Sequence, residues 1–111
     1  MSNTPRAQNL RAIDRANHLR PLRAEVKRQV REGVIDALPL LRGDVREWED
    51  TIAGMRLHHL LTAIPGIGVV TCEEICHATG VRADGRVAEL SYVGRMTLAR
   101  YVAEALQREE E

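Results

Sequence analysis

The chain has 111 residues, 44% of them hydrophobic, which suffices for one compact core and is too short for two ordinary domains. No apolar run approaches the roughly 20 residues of a membrane span, and no secretory signal pattern opens the sequence, so we expect a cytoplasmic protein with no membrane partner. Residues 1–31 hold eight basic and two acidic side chains, a net charge of +6, whereas residues 32–111 hold eight basic and fourteen acidic ones, a net charge of −6.

The N-terminal third of the chain has a helical pattern. Apolar residues recur every three or four positions over residues 19–30, which is typical of one buried helix face. Pro21 falls inside this pattern, and proline either kinks a helix or occupies its first turn. We therefore expect a mobile basic arm over residues 1–20, followed by a helix that starts near Pro21 and is closed by Gly33.

The same segment carries a stripe of positive charge. Few acidic residues follow its arginines at four positions along, so little within the helix neutralises them. Such a stripe repels itself unless an anion approaches, which favours nucleic acid over the alternative of a solvated helix face. The residues of this helix that we expect to contact nucleic acid are Arg20, Arg23, Lys27, Arg28 and Arg31.

Two short helices are predicted next. Asp36 has the side chain of an N-cap, and Pro39 is tolerated in the first turn of the helix that follows. Gly43 and its neighbour open a second helix that runs through Trp48 to about Ile52. Trp48 is one of three aromatic residues in the chain, and we expect it to anchor the core rather than to stack on a base.

The segment from Leu57 to Gly68 is the most informative one. Its apolar residues form a single helix face that ends with Ile64, and Pro65 is expected to end that helix. A Pro-Gly-Ile-Gly turn then leads into a second helix over about residues 70–79. The amides that would point outward at the positive end of this helix, and would suit a phosphate oxygen, are those of Gly66, Ile67, Gly68 and Val69. The alternative is a plain helix connection, which needs proline and glycine even if nothing binds.

No catalytic or metal site is predicted in or beyond this turn. Cys72 and Cys76 share the inner face of the second helix and are expected to be small, reduced core residues. Together with His77 they have a spacing that differs from the common zinc sites. The turn has no nearby lysine nucleophile, and the chain leaves no room for a base-flipping pocket. We therefore expect a protein that is not an enzyme and that has no metal or other cofactor.

The C-terminal part is predicted to form one more helix. This helix begins at about Ser91 or Arg95, ends near Gln107, and is followed by an acidic tail at residues 109–111. No segment of the chain shows the alternation of a strand. The sequence therefore predicts an all-α fold, in which a basic N-terminal helix, kinked or interrupted at its proline, packs on about five short helices in a single domain over residues 21–108.

Four segments, read together, resemble the actinobacterial integration host factor family. They are Arg-Ala-Glu-Val-Lys-Arg at 23–28, Gly-Met-Arg-Leu at 54–57, Ile-Pro-Gly-Ile-Gly-Val at 64–69, and Gly-Val at 80–81 with Arg-Val at 86–87. The resemblance spans about residues 19–102. It implies a monomeric helical protein with a long N-terminal helix and a helix-two-turn-helix domain, similar to a domain of a small-subunit ribosomal protein.

The function implied by this resemblance is non-enzymatic binding of duplex DNA at the nucleoid. Such proteins have little sequence preference, bend DNA and act in phage integration, so an integrase or another DNA-binding protein is a possible partner. Arg82 and Arg86 in the second loop, with Arg95, would reach an adjacent phosphate or the minor groove. The family usually has basic residues after the turn, whereas residues 69–73 here are Val-Val-Thr-Cys-Glu. Two alternatives therefore stay open: a protein-interaction module with weakened DNA affinity, and a protein that binds structured RNA.

Overall fold

The computed structural model describes the backbone of residues 5–110 and the side chains of residues 18–109. This part of the chain contains six α-helices and one short 3-10 helix, and no strand. The helices are α1 (Pro5–Arg31), α2 (Ala37–Arg42), α3 (Arg46–Ala53), α4 (Leu57–Leu61), α5 (Val69–Thr79) and α6 (Tyr92–Glu110), and the 3-10 helix is Val87–Glu89. The all-α prediction is therefore confirmed. None of the described helices is both long enough and apolar enough to span a membrane.

Helix α1 is continuous through its proline. It is 27 residues long with Pro21 inside it, so the alternative in which a helix begins at Pro21 is wrong. Val26 and Val30 are completely or almost completely buried and hold the C-terminal half of α1 on the core. Gly33 has a φ of 77° and closes the helix as predicted. Residues 1–20 are predicted to form a mobile arm, and most of their side chains lie outside the described residues.

All six α-helices contribute side chains to the core. Its largest fully buried side chains are Val26, Val30, Leu40, Leu41, Ile52, Leu57, Leu60, Leu61, Cys72, Leu98 and Val102. Helix α6 packs against both α2 and α5. Trp48 is partly buried and packs on this core from its edge, which agrees with the expected anchoring role. Of the predicted acidic tail, residues 109 and 110 belong to α6 and Glu111 lies outside the described residues.

Local signals account for the ends of the short helix α2 but not for the start of the short helix α3. An Asp36 side-chain oxygen accepts the N–H of Leu38 at 3.1 Å, so the predicted N-cap of α2 is confirmed. Gly43, with a φ of 86°, ends α2 instead of opening the next helix. Helix α3 starts at Arg46, and its N-cap residue Val45 makes no side-chain capping bond.

Helix α4 is shorter than its apolar pattern predicts. It ends at Leu61, and Thr62 is its C-cap residue, so the predicted extension to Ile64 is wrong. The Thr62 hydroxyl donates to the carbonyl oxygen of His58 at 2.6 Å, and tight turns then replace the helix. Ile64 nevertheless stays buried, because these turns keep its side chain on the same side as the helix would.

Candidate nucleic-acid interface

Two loops that lie far apart in the sequence are joined directly. Three backbone hydrogen bonds of 2.8 to 3.1 Å link residues 55–58 with residues 83–87. The N–H groups of Leu57, His58 and Val87 donate to the carbonyl oxygens of Gly85, Ala83 and Met55, respectively. The isolated antiparallel bridge between Arg56 and Arg86 is part of the same contact. These bonds bring Arg56 and Arg86, which belong to different loops, side by side.

A cleft between α1 and the joined loops is lined by cationic side chains. Its lining residues are Arg20, Arg23, Ala24 and Lys27 from α1, with Gly54, Met55, Arg56, His59 and Arg86 from the loops and the start of α4. We call it the basic cleft. Neither aspartate nor glutamate is among the described residues that line it. Four of the lining residues come from two separate segments and are predicted from the sequence to contact nucleic acid. They are Arg20, Arg23, Lys27 and Arg86.

The floor of the basic cleft is built around Gly54. The guanidinium of Arg23 packs against this glycine, and Arg86 Nη1 donates to the Gly54 carbonyl oxygen at 2.5 Å. Arg56 Nη1 donates to the carbonyl oxygen of Asp84 at 2.8 Å. The Nε of Arg23 is shielded from solvent and has no hydrogen-bond partner among the described residues. The loops thus hold Arg56 and Arg86 in place by one hydrogen bond each, and the other N–H groups of these two guanidinium groups stay available to a ligand.

His59 reports the electrostatic character of the basic cleft. Partial desolvation of the exposed His59 ring is the main cause that lowers its pKa below the ordinary value, and the neighbouring His58 and the positive charges of Lys27 and Arg56 lower it further. No carboxylate is among the groups that shift it. The imidazole therefore lies in a positive potential that disfavours its own protonation.

At the Pro-Gly-Ile-Gly turn, three of the four backbone amides that were expected to suit a phosphate make no hydrogen bond within the described residues. The Ile67 N–H donates to the carbonyl oxygen of Ile64 at 3.0 Å, so its assignment to phosphate binding is wrong. Gly68 is the N-cap residue of α5, and its carbonyl oxygen accepts the Cys72 N–H at 2.9 Å. No acceptor within the described residues takes the amides that remain, those of Gly66, Gly68 and Val69.

The surroundings of this turn are mixed in charge. Arg31 of α1 and Glu109 of α6 both line the shallow depression over residues 62–68. Arg31 is exposed and makes no ion pair within the described part of the chain. Gly66 has a φ of 92°, a conformation that favours glycine, and a Cβ there would lie 3.1 Å from Leu106 Cδ2. The turn is therefore a fixed structural element with one cation beside it.

Arg95 has a structural position, which corrects its expected role at DNA. Its side chain is only 15% exposed and is held by four hydrogen bonds. Two of them go to the carbonyl oxygens of Leu41 and Leu40, at 2.7 and 3.0 Å, and two to the Glu49 carboxylate, at 2.9 and 2.8 Å. Arg95 thus satisfies the C-terminal end of α2 and ties α3 to α6.

Two other predicted contact residues are paired within the protein. Arg28 makes ion pairs with Glu25 and with Glu32, the latter at 2.6 Å, so the expectation that few acids neutralise this helix is wrong at this position. Hydrogen bonds from Arg28 and Gln29 lower the pKa of Glu25 to about 2. Arg82 pairs with the exposed Asp84 at 3.2 Å, and this contact lowers the pKa of that carboxyl.

The cysteines are core residues, as predicted. Cys72 and Cys76 are buried, and burial is the main cause that raises both thiol pKa values, to about 12 for Cys72. Within the residues that the structure describes, no group of three or more His, Cys, Asp or Glu side chains is placed to hold a metal ion.

Sequence reasoning missed Arg56 and His59 as members of the basic cleft. Arg56 lies in one of the segments that resemble the integration host factor family, and this was the only signal that could have drawn attention to it. His59 lies on α4, whose helical pattern gave no indication that it would face α1. No family model matches the chain, and no match was found among curated proteins or solved structures.

Proposed function

We propose that this protein is a non-enzymatic binder of duplex DNA that contacts the phosphate backbone with little sequence preference. The observation that carries the proposal is the basic cleft, in which Arg20, Arg23, Lys27, Arg56 and Arg86 converge without a carboxylate among them. Clustered, uncompensated arginine and lysine side chains release counterions when they meet phosphates, and this release supplies most of the affinity in non-specific DNA binding.

A second cationic element lies next to the basic cleft. Arg31 follows Lys27 by one helical turn on α1, about 6 Å along the helix axis. It lines the depression over the turn where the free amides of Gly68 and Val69 begin α5. The cleft and the turn together form a path along α1 that suits the phosphates of one DNA strand.

The exposed face of α5 argues against recognition of a particular base sequence. Its exposed side chains include Val69, Val70, Glu73, Glu74 and His77. None of these is the arginine, asparagine or glutamine that makes bidentate contacts with guanine or adenine. An apolar and acidic helix face is unsuited to the major groove, so binding would depend on the backbone.

The finer features of the proposal come from the resemblance to the actinobacterial integration host factor family. We extend them to this chain as a divergent relative: a monomer in the cytoplasm that lies at the nucleoid, bends DNA and cooperates with an integrase or another DNA-binding protein. The resembling segments at residues 23–28 and 54–57 both contribute to the basic cleft, which supports the extension.

The experiment is a salt titration of binding to two duplexes of unrelated sequence, followed by fluorescence anisotropy. With about five phosphates neutralised, the slope of log K against log salt should be about −4.5. The variant Arg23→Gln/Arg86→Gln should reduce the slope by about 1.8. The control Arg28→Gln/Arg82→Gln removes the same charge from paired arginines and should change it less. A slope near zero, or equal effects of the two variants, would refute the proposal.

A protein-interaction function is the second candidate, and one observation favours it. Val69 and Val70, at the start of α5, are both 67% exposed, and the family that the sequence resembles usually has a lysine at the position of Val69. Exposed apolar side chains beside the turn are better suited to a protein surface than to phosphates. Substitution of both valines with serine would abolish binding to a protein partner and leave duplex binding unchanged. The third candidate function is RNA binding. Competition between duplex DNA and structured RNA for the protein distinguishes it from DNA binding.

A further inference from the structure

We propose that the basic cleft is a binding site for a phosphate monoester dianion. The cleft is concave, with a volume of about 330 Å³, and lies between α1 and the joined loops. The inference goes beyond the contact with phosphodiesters proposed above, although it uses the same cleft. The ligand would be either a small phosphorylated molecule or the 5′-phosphate end of a nucleic acid.

The charge of the basic cleft exceeds what one phosphodiester needs. Five cationic side chains line it, none of them in an ion pair within the described part of the chain. A backbone phosphodiester carries one negative charge, whereas a phosphate monoester at neutral pH carries between 1.5 and 2. A single monoester therefore complements the cleft better in charge than a single phosphodiester does, and it has three terminal oxygens as acceptors in place of two.

An unsatisfied donor inside the cleft supports this assignment. The buried Nε–H of Arg23 has no acceptor among the described residues, although a buried donor without a partner destabilises a fold. Such a cost is tolerated where a ligand supplies the missing acceptor. Arg23 cannot retreat toward Gly54, because it already packs against that residue. Arg23 lines the cleft, so a small shift of its side chain would bring this N–H to an oxygen bound there.

His59 adds a donor that a monoester would use. It lines the cleft together with Lys27 and Arg56, and desolvation and these positive charges disfavour its protonation. A bound dianion would reverse this local potential and allow His59 to take up a proton and donate it to a phosphate oxygen. The site would then hold its ligand by guanidinium, ammonium and imidazolium groups together.

The test is isothermal titration calorimetry with adenosine 5′-monophosphate, inorganic phosphate and dimethyl phosphate at one ionic strength. We expect the two monoester-type ions to bind at least ten times more tightly than the diester. Arg23→Gln and Arg86→Gln should each reduce their affinity at least tenfold. Arg82→Gln, which changes an exposed arginine paired with Asp84, should leave it unchanged. Circular dichroism verifies the fold of each variant, and Arg86 is exposed, so its substitution tests the site even if Arg23→Gln unfolds.

A second arm separates the two sources of the ligand and the two proposals. Duplexes with a 5′-phosphate or a 5′-hydroxyl end should differ in affinity at least tenfold if the nucleic-acid end is the ligand, and be equal if a small molecule is. Equal affinity for adenosine 5′-monophosphate and dimethyl phosphate would overturn the monoester site, even if the 5′-hydroxyl duplex binds with a steep salt dependence. Selective monoester binding without any duplex binding would support the site and refute the proposed DNA function.

Discussion

The guanidinium of Arg23 lies directly against the Cα of Gly54. A Cβ built on Gly54 would be 3.2 Å from Arg23 Cζ and even closer to Arg23 Nη2, so any side chain there collides with the guanidinium. The backbone of Gly54 has φ −89° and ψ 0°, which other residues adopt as well. The glycine is therefore required by the neighbouring arginine and not by its own conformation.

The substitution Gly54→Ala is expected to displace Arg23 from the basic cleft without unfolding the protein. The salt slope of duplex binding should fall by up to about 0.9, as it would for Arg23→Gln. The double variant should bind no more weakly than either single one, because both remove the same contact. Urea unfolding of the Gly54→Ala variant verifies that the fold is kept. Additive losses in the double variant would contradict this explanation.

Arg95→Met is expected to destabilise the fold and to leave duplex affinity unchanged. The substitution leaves the Glu49 carboxylate and two carbonyl oxygens without their donor, and breaking such a partly buried pair costs about 3 kcal/mol. Urea unfolding gives the loss of free energy, and anisotropy gives the affinity of the folded protein. Arg108→Met, at an exposed site on α6, is the matched control. A fall in affinity with no loss of stability would restore Arg95 as a contact residue.

The double variant Glu25→Gln/Glu32→Gln is expected to bind duplex DNA more tightly than the natural chain. Both carboxylates pair with Arg28, and their removal frees that guanidinium for a phosphate. The salt slope should steepen by up to about 0.9. Glu47→Gln/Glu104→Gln removes two exposed acids that make no ion pair in the described part of the chain. If this control tightens binding as much, total charge and not the release of Arg28 is the cause.

The pKa of His59 predicts how stability depends on pH. Partial desolvation and the nearby cations hold it below the usual 6.5 in the folded protein, so the unfolded chain binds the proton more readily. The contribution of His59 is fully present above pH 6.5 and is lost as the pH falls through the lower, folded value. Denaturant midpoints between pH 5 and 7.5 should thus decline less for His59→Gln than for the natural chain.

The same histidine should respond to an anion in the basic cleft. Nuclear magnetic resonance titration of the His59 ring is expected to give a pKa below 6.5 in the free protein and a higher one with duplex DNA or phosphate present. His77, which is exposed on α5 away from the cleft lining, serves as the internal reference. An unchanged His59 pKa at saturating ligand would show that the anion binds elsewhere.

Local sequence signals predicted some helix boundaries and failed at others. The side chain of Asp36 caps α2 and Gly33 closes α1, because each acts on backbone groups a few residues away. Pro21 does not begin a helix, since α1 extends on both sides of it. The apolar spacing up to Ile64 predicts correctly that Ile64 is buried, but it overestimates the length of α4. Turns after Leu61 bury the same residue that a longer helix would.

The sequence by itself determined the all-α class, the inner faces of α1 and α5, and the basic character of α1, because periodicity and charge are properties of short segments. Only the tertiary structure decided which cations act together. It placed Arg86 and Arg56 beside Arg23 through hydrogen bonds between residues about thirty positions apart, and it drew Arg95 inward to Glu49. The availability of an arginine depends on the acceptors that packing brings to it, and no spacing along one helix contains that information.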